Sequence, residues 1–129
     1  MILADTSIWI DHLRSSDPRM QFLLGRGKIA MHPCVVAEIA LGYMKNRRQK
    51  LEALDWLRKV KIAQLSEIRR MIEAHGLYGK GIGLTDVHLV ASCLLTPGTK
   101  LWTRDAALEE VARSLGILVA PSEISAPIQ

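Results

Sequence analysis

Apolar residues along the chain follow two alternating patterns, short unbroken runs and longer stretches with apolar positions three or four apart. These are the signatures of buried strands and of helices with one buried face. Met1 to Ala4 is an apolar run ending on Asp5-Thr6-Ser7, and Ile8, Trp9, Asp11, His12 and Leu13 then read as a helix capped by Thr6 or Ser7. Asp17 followed by Pro18 supplies an N-cap and a first-turn proline for a helix through Met20, Phe22, Leu23 and Leu24, which Gly25 stops. Lys28 to Met31 reads as a short strand. Cys34 to Tyr43 has helical spacing and ends near Gly42, and Asn46 to Val60 places Leu51, Leu54 and Leu57 on one helical face.

Lys61 to Leu65 is a further strand candidate, followed by a helix capped by Ser66 that carries Ile68, Met71 and Ile72 and ends at His75-Gly76. Gly79 to Gly83 reads as a loop, Thr85 to Leu95 as a helix apolar on nearly every side, Pro97-Gly98 as a turn and Lys100 to Thr103 as a strand. Asp105 opens a helix with Ala107, Leu108, Val111, Ala112 and Leu115, closed by Gly116, and Ile117 to Val119 is the final strand. Strands alternating with helices predict an α/β fold, a parallel sheet of about five short strands with helices on both faces. No repeat or composition shift marks a linker, so residues 1–129 read as one domain, with a tail from about residue 121 loosely ordered.

At 129 residues the chain is long enough to bury roughly two-thirds of its unfolded surface around one core. No apolar run approaches the roughly 20 residues of a spanning helix, so insertion in a membrane is not expected. Met1 leads directly into an apolar segment with no basic region or small-residue cleavage site, which predicts a cytoplasmic protein. Cys34 and Cys93 lie in apolar surroundings without a second Cys or a His at metal-ligand spacing, and read as buried reduced thiols. The net charge of +4 favours a polyanionic partner.

The acids stand out against this pattern. In an open parallel sheet functional groups gather beyond the carboxyl ends of the strands. Asp5 ends the first strand, Asp105 follows the Leu101-Trp102-Thr103 strand, and Glu38 lies about one turn into the helix after the second strand. Glu38 interrupts Val35-Val36-Ala37 and Ile39-Ala40-Leu41, and Asp86 stands among Leu84, Val87, Leu89 and Val90, positions where burying an unpaired carboxylate is costly. Two such charges about 4 Å apart repel by roughly 4 kcal/mol at an effective dielectric constant near 20. A convergent cluster therefore calls for a cation, and an all-oxygen donor set suits Mg²⁺, or Mn²⁺, better than zinc. Carboxylate-held metal supplies phosphodiester hydrolysis with an activated water and leaving-group stabilisation. Each acid also has a structural role open to it: Asp5 and Asp105 as N-caps, Asp86 against a helix dipole, Glu38 paired with an Arg. One shared site accounts for all four more simply than four separate roles.

Four segments, Leu3-Ala4-Asp5-Thr6-Ser7-Ile8-Trp9-Ile10-Asp11, Val36-Ala37-Glu38-Ile39-Ala40-Leu41-Gly42, Leu84-Thr85-Asp86-Val87-His88-Leu89-Val90-Ala91 and Leu101-Trp102-Thr103-Arg104-Asp105, resemble in order the motifs of PIN domains. The resemblance is closest to the VapC-type toxin ribonucleases of toxin–antitoxin pairs, and it extends to about Ala120. It implies a Mg²⁺-dependent endoribonuclease cutting tRNA or similar structured RNA. Asp5, Glu38, Asp86 and Asp105 would be the metal-binding acids, and Thr6 or Ser7 a supporting polar contact. It also implies a homodimer and a small antitoxin that blocks the site with a peptide segment. A PIN-like module that binds nucleic acid or protein without catalysis is the alternative. A haloacid dehalogenase-type phosphatase would need an Asp where Ser7 stands.

Lys45, Arg47, Arg48, Lys50, Arg58, Lys59 and Lys61 concentrate positive charge in mid-chain, and Arg47 and Arg48 are candidate contacts for an RNA backbone. Gly79, Gly81 and Gly83 with Lys80 lack the Walker spacing and read as a flexible loop rimming the substrate groove. The four His lack HExxH-like spacing, and His88 is notable for standing two residues from Asp86. Trp9, Trp56 and Trp102 read as core or dimer contacts.

Overall fold

A computed structural model describes residues 1–125. The elements are β1 (Ile2–Ala4), α1 (Thr6–Arg14), α2 (Pro18–Gly25), β2 (Ile29–Met31), α3 (Pro33–Leu41), α4 (Arg47–Asp55), β3 (Arg58–Lys59), α5 (Leu65–Ala74), α6 (Leu84–Leu95), β4 (Lys100–Trp102) and α7 (Ala106–Ser114). Every residue of β1 and β2 is buried, as expected of parallel strands covered on both faces. The strands lie in the order β3-β2-β1-β4, all parallel, with Ile2 opposite Ile29 on one side and Lys100 on the other. The candidate strand after Gly116 joins beyond β4 through one bridge, Leu101 to Leu118, secured by backbone bonds from Leu101 to Ile117 and from Val119 to Leu101. The α/β fold and its parallel sheet thus match the sequence expectation.

Successive strands step outward from β1 to β2 to β3, and then β4 returns to the opposite side of β1. Such a reversal leaves the loops after β1 and β4 diverging, which opens a crevice at their carboxyl ends. Leu3, Ala4, Leu101 and Trp102 form the buried floor below it, and Trp9, Leu89 and Leu108 from the covering helices pack into the same core.

Several local expectations are corrected. Asp5, not Thr6 or Ser7, caps α1: its carboxylate accepts the Ile8 N–H at 3.1 Å. Gly25 lies within α2, and Gly27, at φ 65°, provides the left-handed turn that ends it. The helix expected over 46–60 stops at Asp55. Leu57 continues its spacing by coincidence, but Arg58 and Lys59 pair with Ala30 and Met31 as the edge strand β3. Residues 61–64, expected as a strand, are therefore a connection, because the sheet edge is already filled one step earlier. Gln64 rather than Ser66 precedes α5, with the Glu67 carboxylate reaching back to accept the Gln64 N–H at 2.9 Å. Trp9 and Trp102 are core, whereas Trp56 is 89% exposed. Of the expected tail, Pro121–Glu123 form a 3₁₀ turn, and residues 126–129 lie outside the described residues.

His32 caps α3 by accepting the Cys34 N–H on Nδ1 at 2.9 Å. Burial first, and the neighbouring His88 second, push its pKa from 6.5 to about 4. Folded His32 therefore stays neutral while the unfolded chain takes up a proton, so stability present above pH 6.5 is lost as pH falls towards 4. His32→Asn keeps a capping acceptor and removes the titrating ring. In urea titrations its stability should fall less steeply than wild type between pH 6.5 and 4, and parallel curves would show that His32 does not control this range.

Candidate active site

The crevice between the ends of β1 and β4 collects hydroxyls and carboxylates from four separate stretches of chain. Asp5 follows β1 directly and is 3% exposed. One of its oxygens accepts the Ile8 N–H, and the other accepts the Thr103 hydroxyl. Thr103, at the end of β4, also accepts the Asp105 N–H at 3.0 Å, and Asp105 caps α7 through the Leu108 N–H at 2.9 Å. A single buried hydroxyl thus ties together the acids that follow β1 and β4. The sequence reading passed over Thr103 as merely the last strand residue. Its signal was a hydroxyl two positions before Asp105, at the point where the strand runs out.

Glu38 projects from the second turn of α3, and Thr6, at the first turn of α1, donates its hydroxyl to Glu38 Oε1 at 2.5 Å. Of the two supporting hydroxyls considered, this selects Thr6; Ser7 is exposed. Glu38 itself is exposed, so the expectation of a buried carboxylate there is corrected: Val35 and Ile39 face the core, while Ala37, Glu38 and Leu41 lie on the open side of the helix.

Asp86 lies in the first turn of α6, half-buried, where its Oδ2 accepts the Gly83 N–H at 3.1 Å. Burial is the main cause that pushes its carboxyl above the ordinary aspartate range. The Gly83 N–H opposes that rise, and the negative charges of Asp105, Asp5 and Glu38 add to it. All four acids named from the sequence therefore face one space closely enough for Asp86 to sense the other three. They do not form a closed cage: among the described residues, the one group of three metal-capable side chains with ligand atoms all within 4.8 Å is His32, Cys34 and His88.

Three of the four acids stand at helix N-termini, Asp5 at α1, Asp86 at α6 and Asp105 at α7. The capping roles open to them are filled, and they do not compete with a site. Each cap uses one lone pair of one oxygen, and the positive ends of three helices offset part of the repulsion among the carboxylates. Oxygen donors in this number suit a hard divalent ion. Beside Thr103 a cavity of about 500 Å³ is lined by Arg19, Trp102, Arg104 and Arg113. Each arginine is held by a carboxylate, Arg19 by Asp17, Arg104 by Asp11 and Arg113 by Glu109 and Glu110.

The basic mid-chain residues divide. Arg47 donates to the Ala40 carbonyl at the end of α3, Lys59 to the Asp55 and Leu57 carbonyls, and Lys50 to the Leu13 carbonyl, so these side chains brace the fold. Arg48 is outward and pairs loosely with Glu52. The glycine loop needs its glycines for backbone conformation, since Gly79 and Gly81 have φ of 70° and 79°. Gly81 approaches Ala107 at the start of α7, which brings the loop to the rim beside Asp105. Of the two thiols expected to be buried, Cys93 is and Cys34 is only half-buried, and the fold brings Cys34 together with His32 and His88, a grouping that sequence spacing does not show. Both thiols are unpaired, and burial pushes Cys93 up to about 12.

The PIN domain family matches residues 2–114 of this chain. Ribonuclease VapC32, from two strains of Mycobacterium tuberculosis, is 39% identical over 120 residues, covering 93% of this chain and 97% of the relative.

Because ionising Asp86 is unfavourable in the fold, the penalty is absent at low pH and appears as pH rises through and above the ordinary aspartate range. Asp86→Asn keeps an oxygen for the Gly83 N–H. Metal-free variant protein should melt higher than wild type at pH 7 and equally at pH 3, and saturating Mg²⁺ should narrow the difference at pH 7. An unchanged Tm at pH 7 would contradict the crowding of charge at Asp86.

Proposed function

The chain belongs to the PIN-domain family, and from that premise we propose that it is a Mg²⁺-dependent endoribonuclease, the toxin of a type II toxin–antitoxin pair acting on tRNA or similar structured RNA. The observation that carries this reading is the crevice itself, where the Thr103 hydroxyl joins Asp5 to Asp105, Thr6 holds Glu38, and Asp86 lies near enough for their charges to add to the rise that burial causes. The similarity to Ribonuclease VapC32 over nearly the whole of both chains supports it.

Asp5, Glu38, Asp86 and Asp105 are the residues that would hold the cation, Mg²⁺ or Mn²⁺. Bound there, a divalent ion neutralises phosphodiester charge and lowers the pKa of its water. The chain's own contribution is positioning. The Ile8 amide and Thr103 hydroxyl fix the Asp5 carboxylate, the Gly83 amide fixes Asp86, and the Thr6 hydroxyl fixes Glu38. Such constraint keeps donors within the small tolerance that hydrolysis requires. Thr103, acting through Asp5 and Asp105, is a positioning residue. Arg19, Arg104 and Arg113 around the adjoining cavity, together with Arg47 and Arg48, offer positive charge along which an RNA backbone can lie.

Exposed Leu41, Tyr43, Trp56, Ile62 and Leu65 are large apolar side chains that a monomer does not need on its surface, and they support contacts with a second copy and with an antitoxin. No helix among the described residues is long and apolar enough to cross a membrane.

The test is cleavage of end-labelled structured RNAs, tRNA among them, by antitoxin-free protein. Cutting is expected with Mg²⁺ and not with EDTA, and Asp5→Asn should lower the rate at least 100-fold, on the order of what loss of a charge-stabilising group costs. Charge reversal at the outward Arg48 should weaken RNA binding and flatten its salt dependence while leaving the fold intact, whereas reversal at Arg47 should also loosen the end of α3 that it braces. RNA bound by the wild type with Mg²⁺ but left whole would favour a non-catalytic binding module.

A further inference from the structure

A second group of metal-capable side chains lies between α3 and α6, built from nitrogen and sulfur instead of oxygen. A ring nitrogen of His32, the thiol of Cys34 and a ring nitrogen of His88 all lie within 4.8 Å of one another. His32 is 1% exposed and its Nε2 has no hydrogen-bond partner, and the buried Nδ1 of His88 has none either. The two rings meet edge to face with centroids 5.7 Å apart. Buried polar atoms in folded proteins are nearly always satisfied, so two unpartnered ring nitrogens beside one thiol require an explanation.

We propose that His32, Cys34 and His88 form a transition-metal site, separate from the carboxylates, that takes Zn²⁺ or a comparable borderline ion. Two imidazoles and a thiol are the donors such ions prefer and Mg²⁺ avoids, and three protein ligands leave the fourth tetrahedral position for water. Cys34 is only half-buried, which gives the ion access from solvent. This assignment does not rest on the nuclease reading.

Binding has a definite proton balance. The Cys34 thiol releases its proton to solvent. His32 Nδ1 now accepts the Cys34 N–H, so the neutral ring carries its proton on Nε2. Ligation through Nε2 moves that proton to Nδ1, and ligation through Nδ1 takes the same lone pair; either way the ion replaces the cap of α3. Cys34 precedes Glu38 by one turn of α3, and His88 follows Asp86 by two residues on α6. An ion here would fasten together the two helices that carry these acids.

Cobalt(II) titration of reduced, metal-stripped protein tests the site, because a cobalt–thiolate bond gives a near-ultraviolet charge-transfer band. One equivalent should produce the band in wild type, in Cys93→Ala and in Glu38→Gln, with displacement by Zn²⁺. Cys34→Ser, nearly isosteric and at a half-exposed position, should abolish it without unfolding the protein. Saturating Zn²⁺ should raise Tm by roughly 5–10 °C in wild type and not in Cys34→Ser, and the Cys34 amide resonance should shift. No band in wild type, a band surviving Cys34→Ser, or a band lost in Glu38→Gln would each overturn the proposal.

Discussion

Electrostatic repulsion among carboxylates, gathered where β1 and β4 end, is the constraint to which the rest of the structure is arranged. Asp5 cannot move away, because its position directly after a fully buried strand is set by the core and both its oxygens are hydrogen-bonded. Asp105 is bound to it through Thr103, Glu38 is held by Thr6, and Asp86 is placed by the first turn of α6. Each of these acids alone would be an ordinary surface or capping group. Burial is the first cause that raises the Asp86 carboxyl, and the negative charges of Asp105, Asp5 and Glu38 add to that rise.

Topology makes the gathering possible. The chain builds β1, β2 and β3 outward in one direction and then places β4 against the other side of β1, so the loops after β1 and β4 separate. Into that opening three helices point their N-termini, and the residues that start them are also the acids. The fold therefore uses the same carboxylates twice. As caps they satisfy amides that would otherwise lack partners, and under the proposed function their remaining lone pairs would hold a cation.

Much of this was legible in the sequence, for identifiable reasons. Strands that are buried on both faces read as unbroken apolar runs, so β1, β2 and β4 were evident, and the acids stood out because they interrupt or end such runs. The helix over 46–60 was read too long because Leu57 fits a helical period, while the pairing of Arg58 with Ala30 depends on a distant strand. Glu38 reads as buried from its apolar neighbours, although a helix buries only one face. Thr103 was passed over because its role exists only once Asp5 and Asp105, a hundred residues apart, are adjacent. The same holds for His32 and His88, whose meeting is a product of helix packing and not of spacing.

NMR with paramagnetic Mn²⁺ tests most directly whether Asp5, Glu38, Asp86 and Asp105 face one shared divalent-metal site. Substoichiometric Mn²⁺ should broaden the amide signals of all four residues in parallel, and excess Mg²⁺ should reverse the effect. Asp5→Asn should suppress the broadening at the other three positions. Broadening confined to some of the four acids, or unaffected by Asp5→Asn, would contradict the account.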